Sequence, residues 1–328
     1  MIISRTPFRI SFFGGGTDYP GWYREHGGMV ISTSVDKYCY VTCRFLPPFF
    51  KFKHRIRYYV KEEVNTIDQI KHPSVRECLR FMKIRDGVEI VHNADLPARS
   101  GLGSSSTFTV GLLHALHTLK NQMPTKRDLA LQAIHVEQDM IKENVGSQDQ
   151  VIAAFGGFNK IIFGGVQEIT VAPIVIDPGK LKILQESLML FFTGFPRNAH
   201  EVAAAQIKNI NEKKLDLGKM KEIVDEALSI LISPRDNLDD FGRLLHEQWQ
   251  IKRTLTGLIT NSHIDNIYET ALRAGSSGGK LLGAGGGGFI LFYVKPQLQQ
   301  RVKKALKQLL HIPFYFEHLG SQIVYYTK

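Results

Sequence analysis

Cysteine is scarce in this sequence. Only Cys39, Cys43 and Cys78 occur among 328 residues, with no CxxC pair and no Cys/His spacing of a zinc site. That excludes a disulfide-stapled scaffold and reads as reduced, cytosolic thiols. Long apolar runs are missing too: the strongest, Phe289-Ile-Leu-Phe-Tyr-Val294, is strand-sized, far below the roughly 18 residues of a membrane span. The first sixteen residues carry Arg5 and Arg9 and soon reach three glycines, unlike the apolar core of a secretory signal. The expectation is a cytoplasmic protein with no membrane partner. Internal repeats and low-complexity tracts are absent as well, which sets aside solenoids.

What is present is ordinary globular material with a basic bias. Hydrophobic residues at 43% and charged residues at 22% suffice for a sizeable core, and this length fits two domains or one large one. Forty-one Lys+Arg against 31 Asp+Glu give +10 before histidine, a bias toward anionic partners that leaves nucleic acid, an anionic membrane and phosphorylated metabolites open.

Three glycine-rich segments organise the chain: Gly14-Gly-Gly16, Gly101-Leu-Gly-Ser-Ser-Ser106 and Gly283-Ala-Gly-Gly-Gly-Gly288. The first ends a strand-like stretch, Phe8-Arg-Ile-Ser-Phe-Phe13. The second follows the strand candidate Val88 to His92 and enters a helix over Thr107 to Leu119, with Phe108, Leu112, Ala115, Leu116 and Leu119 at helical spacing. A single helix is expected from Arg127 to Lys142, a strand at Leu188 to Thr193, helices from about Ala199 to Asn261, a helix over Gln297 to Leu310 and a closing strand at Gln322 to Tyr326. The fold class is α+β, with a division near residue 175 giving domains 1–175 and 176–328.

A Gly/Ser loop running into a helix start is suited to anions. First-turn N–H groups lack intrahelical acceptors, the helix dipole adds positive charge, and absent side chains let a phosphate reach the backbone. The string at 101–107 fits that device, and equally fits a serine-capped helix after a flexible turn. Gly275-Ser-Ser-Gly-Gly-Lys280 is one residue short of a Walker loop and continues with Leu281. The GxGxxG string at 283–288 precedes a strand where a dinucleotide loop must open a helix.

Taken together and in order, Arg5-Thr-Pro-Phe-Arg-Ile-Ser-Phe-Phe-Gly-Gly-Gly-Thr-Asp18, Leu96-Pro-Ala-Arg-Ser-Gly-Leu-Gly-Ser-Ser-Ser106 and Lys280-Leu-Leu-Gly-Ala-Gly-Gly-Gly-Gly-Phe289 resemble the three motifs of the GHMP small-molecule kinases. The resemblance spans nearly the whole chain. It implies an N-terminal domain with a left-handed βαβ phosphate-binding unit, a C-terminal ferredoxin-like domain, and a cleft for ATP, Mg2+ and an acceptor alcohol. Gly14-Gly-Gly-Thr-Asp-Tyr19 departs from the Gly-Glu-His-Thr-Asp-Tyr of galactokinases and resembles the GGGTD form of the D-glycero-D-manno-heptose 7-phosphate kinase type and of fucokinase-like domains.

The resemblance implies site residues one by one. Asp149 matches the aspartate beside the acceptor hydroxyl, a general base, and Arg9 the basic residue next to it. Pro97, Ser100, Gly101, Leu102, Gly103, Ser104, Ser105 and Ser106 form the nucleotide loop. Gly15, Gly16, Thr17, Asp18, Gly285 and Gly286 face the substrate, with Asp18 accepting sugar hydroxyls. Ser105 and Glu137 match the magnesium ligands, with Ser104 as the one-residue alternative to Ser105. Read alone, each residue has a plainer role: Asp149 in a loop turn, Arg9 exposed on a strand, Asp18 in a turn, Glu137 on a solvated helix face. Arg44, Lys51, Lys53, Arg55 and Arg57 form a basic cluster for a distal phosphate or a solvated charge run. Phe45, Phe49, Phe50 and Phe52 among them read as core or adenine-pocket packing. The expected activity is anomeric phosphorylation of a heptose 7-phosphate for nucleotide-activated heptose and surface polysaccharide. Its partner is a small-molecule sugar or sugar phosphate, not nucleic acid, and the enzyme is a monomer or homodimer. The alternatives are a kinase of fucose or another unphosphorylated hexose, and a non-catalytic, basic nucleic-acid-binding protein.

Overall fold

The computed structural model describes residues 1–98, 100–164, 168–194, 199–234 and 237–327. Its first lobe is built on strands β1 (Ile2–Phe13) and β2 (Gly28–Phe45), joined through the first glycine turn and the short helix α1 (Pro20–His26). The β-branched and aromatic residues of β1 suit a strand packed on both faces, and from Thr6 to Phe13 every residue of it is buried. β2 is long enough to serve several partners on its other edge. Gly28–Thr33 pairs with β6 (Phe158–Phe163), and Cys39–Phe45 pairs with β5 (Val88–Ala94). Strands β3 (His54–Arg57) and β4 (Lys61–Val64) continue the sheet beyond β5, and β7 (Ile169–Pro173) pairs with β6. Helices α2 (Pro73–Phe81), α3 (Ser104–Leu119), α4 (Lys126–Ile134) and α5 (Gln148–Phe155) complete this lobe, α3 and α5 packing against β1 and β2.

The second lobe starts with α6 (Pro178–Glu186) and β8 (Leu188–Gly194). It continues through α7 (Ala199–Lys208), α8 (Lys214–Ile232), α9 (Asp239–Thr254) and α10 (Ser262–Arg273). Then come β9 (Gly278–Leu281), β10 (Gly288–Tyr293), α11 (Gln299–Ala305) and β11 (Leu310–Ile312). Its antiparallel sheet runs β11-β8-β10-β9, the strand order of a ferredoxin-like βαββαβ unit and the expected architecture. Two last strands, β12 (Phe316–Glu317) and β13 (Gln322–Tyr326), return to β2 and β1 of the first sheet. α8 and α9 also pack on β1, so the lobes share apolar contacts as well as chain crossings.

Two expected helices differ. The segment expected as one helix over 127–142 is α-helical only to Ile134 and then widens into a π-helical turn, His135–Met140, before Lys142 takes a positive φ of 63°. Periodicity cannot see that widening, because it changes the backbone bond and not the residue types. The last helix is α11, shorter than the expected 297–310, because Leu310 must already be extended to pair with Phe192 of β8.

Candidate active site

The second and third glycine segments meet. A Cβ on Gly283 would stand 2.5 Å from Gly101 Cα, and one on Gly101 would stand 2.6 Å from Leu282 O. Both glycines have positive φ, +72° and +88°, so any side chain would be strained and would collide with backbone. Phe289 N also donates to Ser100 O at 3.1 Å. The third segment therefore backs the second, backbone on backbone, and fixes the loop that opens α3. Ser100 Oγ donates to Pro97 O at 2.7 Å and Leu102 is fully buried, which pins the loop's lead-in. The first intrahelical bond of α3 runs from Thr107 N to Gly103 O at 2.9 Å, leaving the mouth of a sixteen-residue helix at Ser104–Ser106.

Beneath that mouth lies the Arg9–Asp149 pair. Arg9 Nε and Nη2 donate to the two carboxylate oxygens of Asp149, each at 2.6 Å, and Nη1 donates to Gly101 O at 2.9 Å. The fork-on-carboxylate geometry fixes both groups. Arg9 is 4% exposed, so the exposed-strand reading fails for it. A Cβ on Gly103 would stand 3.2 Å from Asp149 Oδ2, which brings the carboxylate against the loop. Asp18 is likewise buried: its Oδ1 accepts from Gly16 N at 2.9 Å and its Oδ2 from Gln148 N at 3.4 Å. Burial raises its pKa, the Gly16 bond opposes that, and the charge of Asp149 adds to the rise.

The other first-motif residues divide. Thr17 Oγ1 bonds Gly14 O at 2.8 Å and Met29 O at 3.0 Å and accepts from Met29 N. Its hydroxyl is committed to holding the turn. Gly15 is half-buried, and Gly16 lines a small cavity with Tyr19, Gln206, Ile210, Lys213, Leu217 and Leu255. Gly286 N donates to Ile259 O at 2.8 Å, and Gly285 also packs on the Ile259 backbone. Both lie against the segment after α9, not beside Asp149.

Glu137 sits on the π-helical turn and is fully buried, not on a solvated face. Ser106 Oγ donates to its Oε2 at 2.7 Å and Gln150 Nε2 donates to the same oxygen. Each helical residue rotates by about 100°, so only one of three consecutive serines can face it. That residue is Ser106; Ser105 is exposed, and its carbonyl accepts from Thr109 Oγ1. Burial and the charge of Glu143 push the Glu137 carboxyl up to about 7, against the hydrogen bonds from Ser106 and Gln150. Its Oε1 and Gln150 Oε1 are buried without partners. Unpaired hard oxygens there fit a divalent cation. Among the described residues no three His, Cys, Asp or Glu side chains cluster as a metal cage, so such a cation must draw on hydroxyls, waters and phosphates.

Two lysines were missed in the sequence. Lys252 of α9 is 6% exposed and its Nζ donates to Leu281 O at 3.1 Å and to Gly283 O. Lys280 is 2% exposed and donates to Phe12 O at 2.8 Å. Burial depresses both, Lys252 to about 7, with the charge of Arg9 adding and that of Asp18 opposing. They tie the third glycine segment to α9 and to β1. The basic cluster turns out to be partly neutralised: Arg44 pairs with Glu89 at 2.7 Å, and Arg55 with Glu63 and Glu89. Phe45, Phe49 and Phe50 are exposed, which overturns their core reading, and Arg55 lies over the stacked rings of Phe50 and Phe52.

Comparison with known proteins agrees with this geometry. Residues 69–157 match the GHMP kinases N terminal domain and residues 226–312 match the GHMP kinases C terminal domain. The D-glycero-alpha-D-manno-heptose 7-phosphate kinase of Campylobacter jejuni is 27% identical over 317 residues, covering 94% of this chain and 93% of that protein. Among solved structures, a D-glycero-D-manno-heptose 1-phosphate kinase of Bacteroides thetaiotaomicron superposes with a TM-score of 0.74 at 24% identity, covering all of both chains. The Lactococcus lactis galactokinase solved with galactose superposes with a TM-score of 0.72 at 19% identity, over 98% of this chain and 94% of that one. Family members use ATP as phosphoryl donor, usually with Mg2+. Among the described residues no helix is long and apolar enough to cross a membrane. The chain belongs to the GHMP kinases and is a phosphotransferase acting on an alcohol group.

Proposed function

We propose that this kinase transfers the γ-phosphoryl group of ATP to the anomeric hydroxyl of a heptose 7-phosphate, supplying nucleotide-activated heptose for surface polysaccharide. The observation that carries the reading is the Arg9–Asp149 fork directly beneath Gly103 at the mouth of α3, beside the buried carboxylate of Asp18. An acceptor hydroxyl there has a base within reach and a guanidinium to offset developing charge, while the loop N–H groups hold the donor's phosphates. Asp18 accepts from neighbouring sugar hydroxyls. The GGGTD turn sets the chain apart from galactokinases, and the Campylobacter relative favours the heptose over fucose. Arg44 and Arg55 are already neutralised, so a distal phosphate must find other cations. The same reading makes the enzyme cytoplasmic, a monomer or homodimer, without nucleic-acid or membrane partners, with domains dividing near residue 175.

Magnesium would be held by Glu137 with a hydroxyl of the Ser104–Ser106 run, and when bound it neutralises charge on the transferred group. Glu137→Gln should abolish the metal part of nucleotide stabilisation. With ATP and Mg2+ each at about 100 times its dissociation constant, wild type should melt about 4 °C above its value with ATP and EDTA, and the variant should show no such gain. Retention of the full gain would move the metal elsewhere.

The substrate is tested by magnesium-dependent ADP release with D-glycero-D-manno-heptose 7-phosphate, mannose, fucose, galactose and mevalonate. The expected result is turnover with the phosphorylated heptose alone. Turnover with free sugars would discard the heptose and keep the kinase.

A further inference from the structure

Two buried polar atoms next to the Arg9–Asp149 pair have no partner: Ser11 Oγ and Gln148 Oε1. Ser11 is 5% exposed and Gln148 8%. Ser11 lies two residues beyond Arg9 on β1, so both side chains share one face of the strand. Gln148 opens α5 immediately before Asp149, and its backbone N–H already donates to Asp18. Buried polar groups are normally hydrogen-bonded, and two orphans side by side in a site ask what satisfies them.

Gly15 supplies the second observation. Its neighbours Gly14 and Gly16 have φ of +79° and +106°, where glycine is what the turn requires. Gly15 lies outside that left-handed region, so the turn would accept a side chain there. A Cβ on Gly15 would stand 3.5 Å from Ser11 Oγ and 3.7 Å from Gln148 Nε2, ordinary contact distances. The missing side chain leaves space, and the walls of that space are a serine hydroxyl and a carboxamide, with Asp18 and Asp149 beyond them.

We propose that Ser11 and Gln148 are specificity-determining residues that hydrogen-bond the acceptor sugar's hydroxyls flanking the reacting one, and that Gly15 leaves room for the ring. A vicinal polyol matches the pair: each sugar hydroxyl gives one hydrogen and accepts another, so one can donate to Gln148 Oε1 while its neighbour exchanges a bond with Ser11 Oγ. An aliphatic alcohol such as mevalonate offers no such row. The assignment rests on the sugar-kinase reading above and adds the groups that tell one polyol from another.

The test is steady-state kinetics of Ser11→Ala, Gln148→Leu and Gly15→Ala with whichever of the heptose 7-phosphate, mannose, fucose or galactose wild type turns over best, alongside melting curves. Each of the first two should lower kcat/KM for the sugar about 10-fold, the value of one lost hydrogen bond, with the KM for ATP and the melting temperature unchanged. Gly15→Ala should raise the sugar KM in the same selective way by filling the gap while keeping both polar groups. Deoxy analogues of that sugar identify the contacted hydroxyl: wild type and Ser11→Ala should turn over the analogue lacking it equally. Unaltered kcat/KM for the sugar in all three variants, the result expected if water alone fills the space, overturns the proposal and leaves the kinase reading intact. So does an equal rise in both KM values. A wild type that binds ATP but phosphorylates no sugar fails the reading itself, and this assignment with it.

Discussion

Asp149→Asn should lower kcat by 10² to 10⁴-fold, the usual contribution of a positioned base, while the KM for ATP stays near wild type. The asparagine keeps the shape of the side chain and can still accept one bond from Arg9. Its other terminus, however, is an NH2 facing the Arg9 Nη2 that now donates to Asp149 Oδ2 at 2.6 Å. Donor meets donor, so the fork opens and the proton acceptor is lost together. With side chains 5% and 14% exposed, breaking the pair also leaves a nearly buried guanidinium uncompensated, a cost of about 3–5 kcal/mol. Turnover must therefore be compared well below the variant's melting temperature. Because the two residues act as one unit, Arg9→Met combined with Asp149→Asn should lose little more than either alone. Near-normal turnover in a folded Asp149→Asn protein would remove the base from the mechanism.

The meeting of the second and third glycine segments was legible because glycine records a backbone requirement. Gly101 and Gly283 cannot carry side chains where they meet, and that constraint appears directly in the sequence. Arg9, Asp18 and Glu137 were legible only through motif order. Each, read alone, is an ordinary strand, turn or helix residue, and only the fold shows them buried. Ser105, with Ser104 as its alternative, was the serine expected beside Glu137; that Ser106 bonds it instead needed the phase of α3 against the π-helical turn, which no residue type encodes. Lys252 left a trace that was passed over. Leu245, Gln248, Trp249 and Lys252 fall on one helical stripe, and the first three are fully buried. A lysine on an apolar stripe is ordinarily read as the stripe's edge; here its ammonium reaches the carbonyls of the third glycine segment.

That buried ammonium should show itself in how stability varies with pH. In the unfolded chain Lys252 keeps its proton up to its ordinary 10.5, whereas in the folded protein burial lets it go near 7. Between those values the unfolded state binds the extra proton, so stability rises with pH, and below 7 the folded protein bears the full cost of the buried charge, about 5 kcal/mol. Lys280 is depressed in the same direction and steepens the rise. Glu137, whose carboxyl is held up to about 7, acts the opposite way near neutrality, and so do the buried thiols of Cys39 and Cys43 above about pH 9; these groups are common to wild type and variant, so the difference between the two slopes isolates Lys252. One proton corresponds to about 1.4 kcal/mol per pH unit, or about 2 °C in melting temperature for a chain of this size. Lys252→Met should flatten the wild-type rise by that amount. The substitution also strands the carbonyls of Leu281 and Gly283, which costs about 1–3 kcal/mol for each group left unpaired. That loss does not vary with pH and lowers the whole curve without changing its slope. Melting curves of wild type and variant at pH 7, 7.5, 8 and 8.5, under reducing conditions, separate the two effects. An unchanged slope would mean that the folded protein keeps the proton on Lys252 throughout, held there by the two carbonyls and by Asp18 against the repulsion of Arg9.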